Sequence, residues 1–280
     1  MPEPLADDNI VPINSKPAPS IIFVTPEMAE RWLKQNTKNR PLTPSDVNRY
    51  ARDMLSGAWE FTGEAIKFGN NGALLDGQHR LAAIIKSGVT LPLLVIRELD
   101  PAVQRVMDTG RRRTAADALS LNGEKNATLL AATARLALGV ASSLDDPGKY
   151  NATNSEIELL LEERPDLRSA CEFARPLARR TDCPPAVVAY TFWRLSQIDM
   201  FEAAQFWVAA SEKVGLKPGD PVLALTNRAA EARRNREVLT KRIYLSMIYR
   251  AWNYRRAGKP LRIMKVQSAA GGLIPVPEPK

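Results

Sequence analysis

Strand-forming patterns in this chain stop near Asp100, and beyond it apolar residues recur almost entirely at helical spacing. That limits the fold class to α+β: a small mixed sheet with its own helices, followed by a mostly α-helical domain. The 280 residues are enough for two domains of ordinary size. The expected organisation is a disordered tail over 1–20, a mixed domain over 21–122, a helical domain over 123–267 and a flexible tail over 268–280.

In the mixed domain, Ile21 to Val24 reads as a short strand, and Thr25-Pro26-Glu27 as a helix start. A second start follows at Thr43-Pro44-Ser45-Asp46, where Asp46 can reach back in a capping box. Residues 59–68 read as a strand, Gly69-Asn70-Asn71-Gly72 as a hairpin turn and Ala73 to Leu75 as the return strand. A helix is expected from Gln78 to Lys86 and a buried strand from Leu91 to Ile96. Helices are then expected at 101–108, 114–121, 125–142, 154–163, 166–179, 185–198, 201–213, 220–235 and 238–257.

Asp76-Gly77-Gln78-His79-Arg80 is the segment richest in chemistry. Gly77 lets the backbone turn tightly and come close to a ligand. The helix that begins at once has unpaired N–H groups and a positive dipole end, which attract phosphate. Arg80 can bind phosphate bidentately, His79 adds a donor and Gln78 can meet a phosphate or a base. Asp76 would repel phosphate, so it caps the helix, holds Arg80 or ligates a metal ion. Spacing alone also fits an ordinary Asp-Gly turn with one surface arginine.

Gly77-Gln78-His79-Arg80-Leu81-Ala82-Ala83 resembles the Gly-x-x-Arg turn of the ParB/sulfiredoxin superfamily, in particular phage- and plasmid-type ParB-like proteins. The resemblance covers roughly residues 21–122. It implies that Gly77, Gln78, His79 and Arg80 contact nucleotide phosphates, with CTP or ATP and Mg²⁺ as the cofactors. A second turn, Met107-Asp108-Thr109-Gly110-Arg111-Arg112-Arg113-Thr114, lies where such proteins carry another motif. Its Thr109, Gly110, Arg111, Arg112 and Arg113 are expected to hold further phosphates. The family's Asn and Gln are missing there. Sulfiredoxins place a reactive cysteine before the histidine. Gln78 stands at that position, so thiol chemistry is not expected at this turn.

The formal net charge is +8, and its distribution is uneven. Between Arg228 and Lys265 twelve Lys/Arg face two acids, Glu231 and Glu237, so that segment carries +10 and the rest of the chain −2. Arg233, Arg234, Arg236, Lys241, Arg242, Arg250, Arg255 and Arg256 are the candidate nucleic-acid contacts, against the alternative of a solvated basic face.

Cys171 and Cys183 have no zinc or redox spacing, and His79 is the only histidine, so neither zinc nor haem is expected. No apolar run has membrane-spanning length and no signal peptide opens the chain, so the expected location is the cytoplasm, which the ParB-like resemblance implies is that of a bacterial or phage-infected cell.

The leading functional expectation is a nucleotide-responsive DNA-binding protein serving partition, regulation or DNA metabolism, with a homodimer as a further partner. A hydrolase, kinase or nuclease is the alternative, with Asp76 and His79 as catalytic candidates and Asp76, Glu64, Asp100 and Asp108 as metal ligands if they converge. An adaptor that has lost its ligand is the third reading.

Overall fold

The computed structural model describes residues 17–37, 39, 41–107, 114–266 and 274–280, which form two compact units, Met1–Arg111 and Arg112–Lys280. The first is α+β and the second helical. The helix expected at 114–121 belongs to the second unit, because its Ala115 and Leu119 join that unit's core; the boundary expected after residue 122 therefore falls earlier.

In the first unit, β1 (Ala18–Val24), α1 (Pro26–Leu33) and α2 (Pro44–Leu55) precede the hairpin of β2 (Ile66–Gly69) and β3 (Leu74–Asp76). Then come α3 (Gln78–Ser87), β4 (Leu91–Leu99) and a 3₁₀ helix, Pro101–Val106. The sheet order is β1-β4-β2-β3, with β4 antiparallel to β1 and parallel to β2. Period-two alternation sends Val24, Ile66, Phe68, Leu74, Leu93 and Val95 to one face, where they meet Trp32, Met54, Leu81 and Ile84. The other face leaves Ile21 and Phe23 exposed.

Two local expectations change. Strand β1 begins at Ala18 rather than Ile21, because it pairs with β4 back to Ala18↔Arg97. The expected strand 59–68 is a strand only from Ile66, and residues 59–65 run as irregular chain. Trp59 there packs edge-on against Tyr50, 5.6 Å between ring centres, so its burial comes from α2 and not from a sheet.

The second unit comprises α4 (Ala115–Leu121), α5 (Ala127–Ser142), α6 (Asn154–Glu163), α7 (Asp166–Thr181), α8 (Pro185–Ser196), α9 (Met200–Glu212), α10 (Pro221–Arg234) and α11 (Lys241–Arg256). Thr114–Asp117 and Thr153–Glu156 form reciprocal capping boxes at the starts of α4 and α6. The α8 segment Val187-Val188-Ala189-Tyr190-Thr191-Phe192-Trp193 is buried nearly all round, as an axial helix must be. Phe173 of α7 stacks on Phe192 at 3.9 Å.

The expected flexible tail over 268–280 is corrected for 274–280, which lies along α11. Trp252 Nε1 donates to the Lys280 carbonyl at 2.8 Å, Asn253 Nδ2 to the Glu278 carbonyl at 2.8 Å and Ser246 Oγ to the Pro275 carbonyl at 3.1 Å. An extended Pro-rich segment has free carbonyls, and donors on α11 take them up. Among the described residues no helix is long and apolar enough to cross a membrane.

Candidate functional site

The turn at Asp76–Arg80 sits where β3 gives way to α3, and its side chains point into the fold. Gly77 is the N-cap residue with φ +104°, a conformation that favours glycine. A Cβ there would lie 2.4 Å from Ile66 Cδ1 and 3.3 Å from Ile66 Cα. The close approach expected toward a ligand is therefore made to strand β2.

Gln78 and His79 are both buried, at 4% and 7% exposure, so neither side chain stands ready at the surface. Gln78 Oε1 accepts from Asn36 Nδ2 at 2.7 Å. His79 Nε2 accepts from the Thr43 backbone N–H at 3.0 Å. That N–H is the one a capping box would give to Asp46, and α2 has no side-chain cap at Thr43. An imidazole from another element thus takes the place of the expected local cap.

Arg80 is bound internally as well. Its guanidinium donates to the carbonyls of Glu64 (2.5 Å) and Ala65 (2.8 Å) and lies 3.5 Å from Asp76. These carbonyls belong to the irregular stretch before β2, where no neighbouring strand supplies a partner, and a planar cation with several donors fits that need. Asp76 also lies 3.4 Å from Lys67. It bridges two cations and does not cap α3, which begins without a side-chain cap.

Asn36, Asn39 and Gln104 complete the surroundings and were not singled out from the sequence. Asn39 Nδ2 donates to Asn36 Oδ1 at 2.6 Å and to the Leu74 carbonyl at 2.7 Å. Gln104 Nε2 donates to Asn39 Oδ1 at 2.9 Å and to the Leu75 carbonyl at 3.1 Å. The Leu74 N–H meets the Gln35 carbonyl at 3.0 Å. The exposed edge of β3 is thus covered by side-chain amides and loop backbone. The density of Asn and Gln in Gln35-Asn36-Thr37-Lys38-Asn39 was the available signal, but amides carry no periodicity that assigns them a partner.

The second turn, with Asp108, Thr109, Gly110, Arg111, Arg112 and Arg113, lies outside the described residues. Asp100 caps the 3₁₀ helix by accepting from the Ala102 N–H. Among the described residues no three His, Cys, Asp or Glu side chains gather as metal ligands, so Asp76, Glu64 and Asp100 do not converge. Both cysteines are free and buried, and burial pushes the Cys183 thiol up to about 12.

The basic segment divides in two. On α11, three of the expected contacts serve the fold. Arg242 lies 3.5 Å from Asp145 and donates to the Ile274 carbonyl, Arg250 donates to the Lys265 carbonyl, and Arg256 pairs with Glu202 at 3.0 Å over the ring of Trp252. Lys241 is half-buried, and burial followed by the nearby Arg135 lowers its pKa. Arg255 is half-buried.

At the other part, the C-terminal ends of α7, α9 and α10 meet around Asp182. Arg233 lies 2.7 Å and Lys213 3.6 Å from its carboxylate. Arg179 and Arg180 end α7, and Arg234 and Arg236 follow Arg233; all four are exposed. Cations at helix C-termini answer the negative dipole ends, but here they outnumber what one carboxylate neutralises. Arg234 and Arg236 have no ion-pair partner among the described residues.

Comparison with protein-family models, with curated proteins and with solved structures finds no match to this chain.

Proposed function

We propose that this protein binds nucleic acid through its phosphates, in the manner of a nucleotide-responsive ParB-like protein. The observation that carries the reading is that Lys213 and Arg233 both pair with Asp182, which brings together the chain ends of α7, α9 and α10 that also carry the exposed Arg179, Arg180, Arg234 and Arg236. Backbone phosphates release counterions when such cations meet them, a driving force that needs no base contact.

The test is duplex DNA binding across a salt series, by fluorescence anisotropy. Arg234→Gln/Arg236→Gln removes two exposed cations that have no ion-pair partner among the described residues, so stability holds while binding falls roughly tenfold or more and the salt slope drops by about two. Equal affinity and slope in the variant reject this surface.

Nucleotide response is proposed at the start of α3, whose first turn contains no acid and no side-chain cap. Gln78 and His79 are buried and bonded to Asn36 and Thr43, so those two contacts must open for a nucleotide to reach those N–H groups. CTP or ATP with Mg²⁺ then raises the melting temperature of the whole protein, because a ligand of the folded state stabilises it. No shift with any of the four NTPs removes the nucleotide from the proposal.

A further inference from the structure

A cleft of about 670 Å³ opens in the helical unit between the start of α5 and the C-terminal half of α7. Its walls carry Lys125, Arg175, Arg179 and Arg180 against one carboxylate, Glu172, a formal excess of three positive charges. The whole-chain charge count hid this cluster, because everything outside residues 228–265 sums to −2.

The cleft is a built feature. Arg168 of α7 grips Glu124 with two nitrogens, Nε at 2.9 Å and Nη2 at 2.5 Å from Oε1. This clamp fixes the loop that carries Lys125 onto α7. Arg175 then donates to Asn126 Oδ1 at 2.8 Å. Asn126 is the N-cap residue of α5 at φ +56°, and with its side-chain oxygen turned to Arg175 it makes no cap hydrogen bond to the first turn. The positive end of a 16-residue helix therefore opens beside the cation cluster. Arg175 and Arg179 stand one helical turn apart, in a row along the wall. Among the described residues no aromatic ring lines the cleft, which offers cations to hold phosphate rather than a ring to stack a base.

We infer that this cleft is a phosphate site that seats the phosphodiester backbone of a bound nucleic acid, extending the basic surface at Asp182 through the shared Arg179 and Arg180. The inference rests on the nucleic-acid reading above, and the test separates the two. Two probes are used with the full chain, a short mixed-sequence DNA duplex and inorganic triphosphate, each at several salt concentrations. The variants are Arg175→Gln/Arg179→Gln and Glu172→Gln. Their folding is checked by circular dichroism, since Arg175 has a partner in the fold.

The expected result is that Arg175→Gln/Arg179→Gln weakens duplex binding roughly tenfold or more and lowers the salt slope by about two. Glu172→Gln, which removes the one carboxylate and leaves the cations in place, tightens it several-fold. It keeps the proposal testable if the arginine variant folds poorly. Duplex affinity unchanged in both variants overturns the cleft while leaving nucleic-acid binding elsewhere intact. Triphosphate bound through these residues with no duplex binding by the wild-type chain overturns the nucleic-acid reading and assigns the cleft to small polyphosphates. Binding of neither probe overturns both.

Discussion

Gly77 carries two constraints at once: a positive φ and a Cβ position already filled by Ile66. Gly77→Ala is expected to destabilise the α+β unit by roughly 1–3 kcal/mol, read as a lowered urea midpoint. Adding Ile66→Val removes the Cδ1 methyl in the clash and recovers part of that loss; the rest persists because the backbone angle is unchanged. Simple additivity of the two substitutions would show that the clash is not what limits the site. Gln78, His79 and Arg80 teach a related lesson. Their identities made them legible as a group of polar residues at one turn. Which atoms they would face was not legible, because their partners, Asn36, Thr43, Glu64 and Ala65, lie 15 to 42 positions away in the chain.

At the scale of elements, helices with a local start signal were readable and joints between helices were not. The Asn154–Glu163 helix matches its expected span because the start and the apolar spacing are both local. The α7–α8 joint is different. Asp166 accepts from Trp193 Nε1 at 2.8 Å and from Gln197 Nε2 at 3.1 Å, with Arg164 at 3.5 Å. Burial opposes its charge, yet these hydrogen bonds and the arginine hold its carboxyl below the usual range. A depressed carboxylate pKa contributes stability above the unfolded-state value, and that contribution is lost as pH falls through the folded-state value. The helical unit is therefore expected to be stabler at neutral pH than in acid, and Asp166→Asn to remove part of that difference. Urea midpoints at neutral and acidic pH check this, and an identical pH dependence in the variant would contradict it.

At the scale of the molecule, the buried residues form two clusters that share no member. Domains with separate cores need not unfold together. Denaturation is expected in two steps, with Gly77→Ala moving only the step of the α+β unit and Asp166→Asn only that of the helical unit. Tryptophan fluorescence can follow both, since Trp32 and Trp59 lie in the first unit and Trp193, Trp207 and Trp252 in the second. One transition displaced by both substitutions would refute separate cores.

The sequence by itself determined the α+β class, the order of nearly all the elements and the Gly77 turn, because periodicity, caps and glycine act within one or two helical turns. It also marked the excess of positive charge. Only the tertiary structure decided where that charge is available. Arg242, Arg250 and Arg256 are taken up by carbonyls and carboxylates from distant segments, while Arg175, Arg179 and Lys125, unremarkable in the linear charge count, are brought to one cleft. A side chain's charge belongs to its residue, but the partner that neutralises it is chosen by packing, and packing is set by the whole chain.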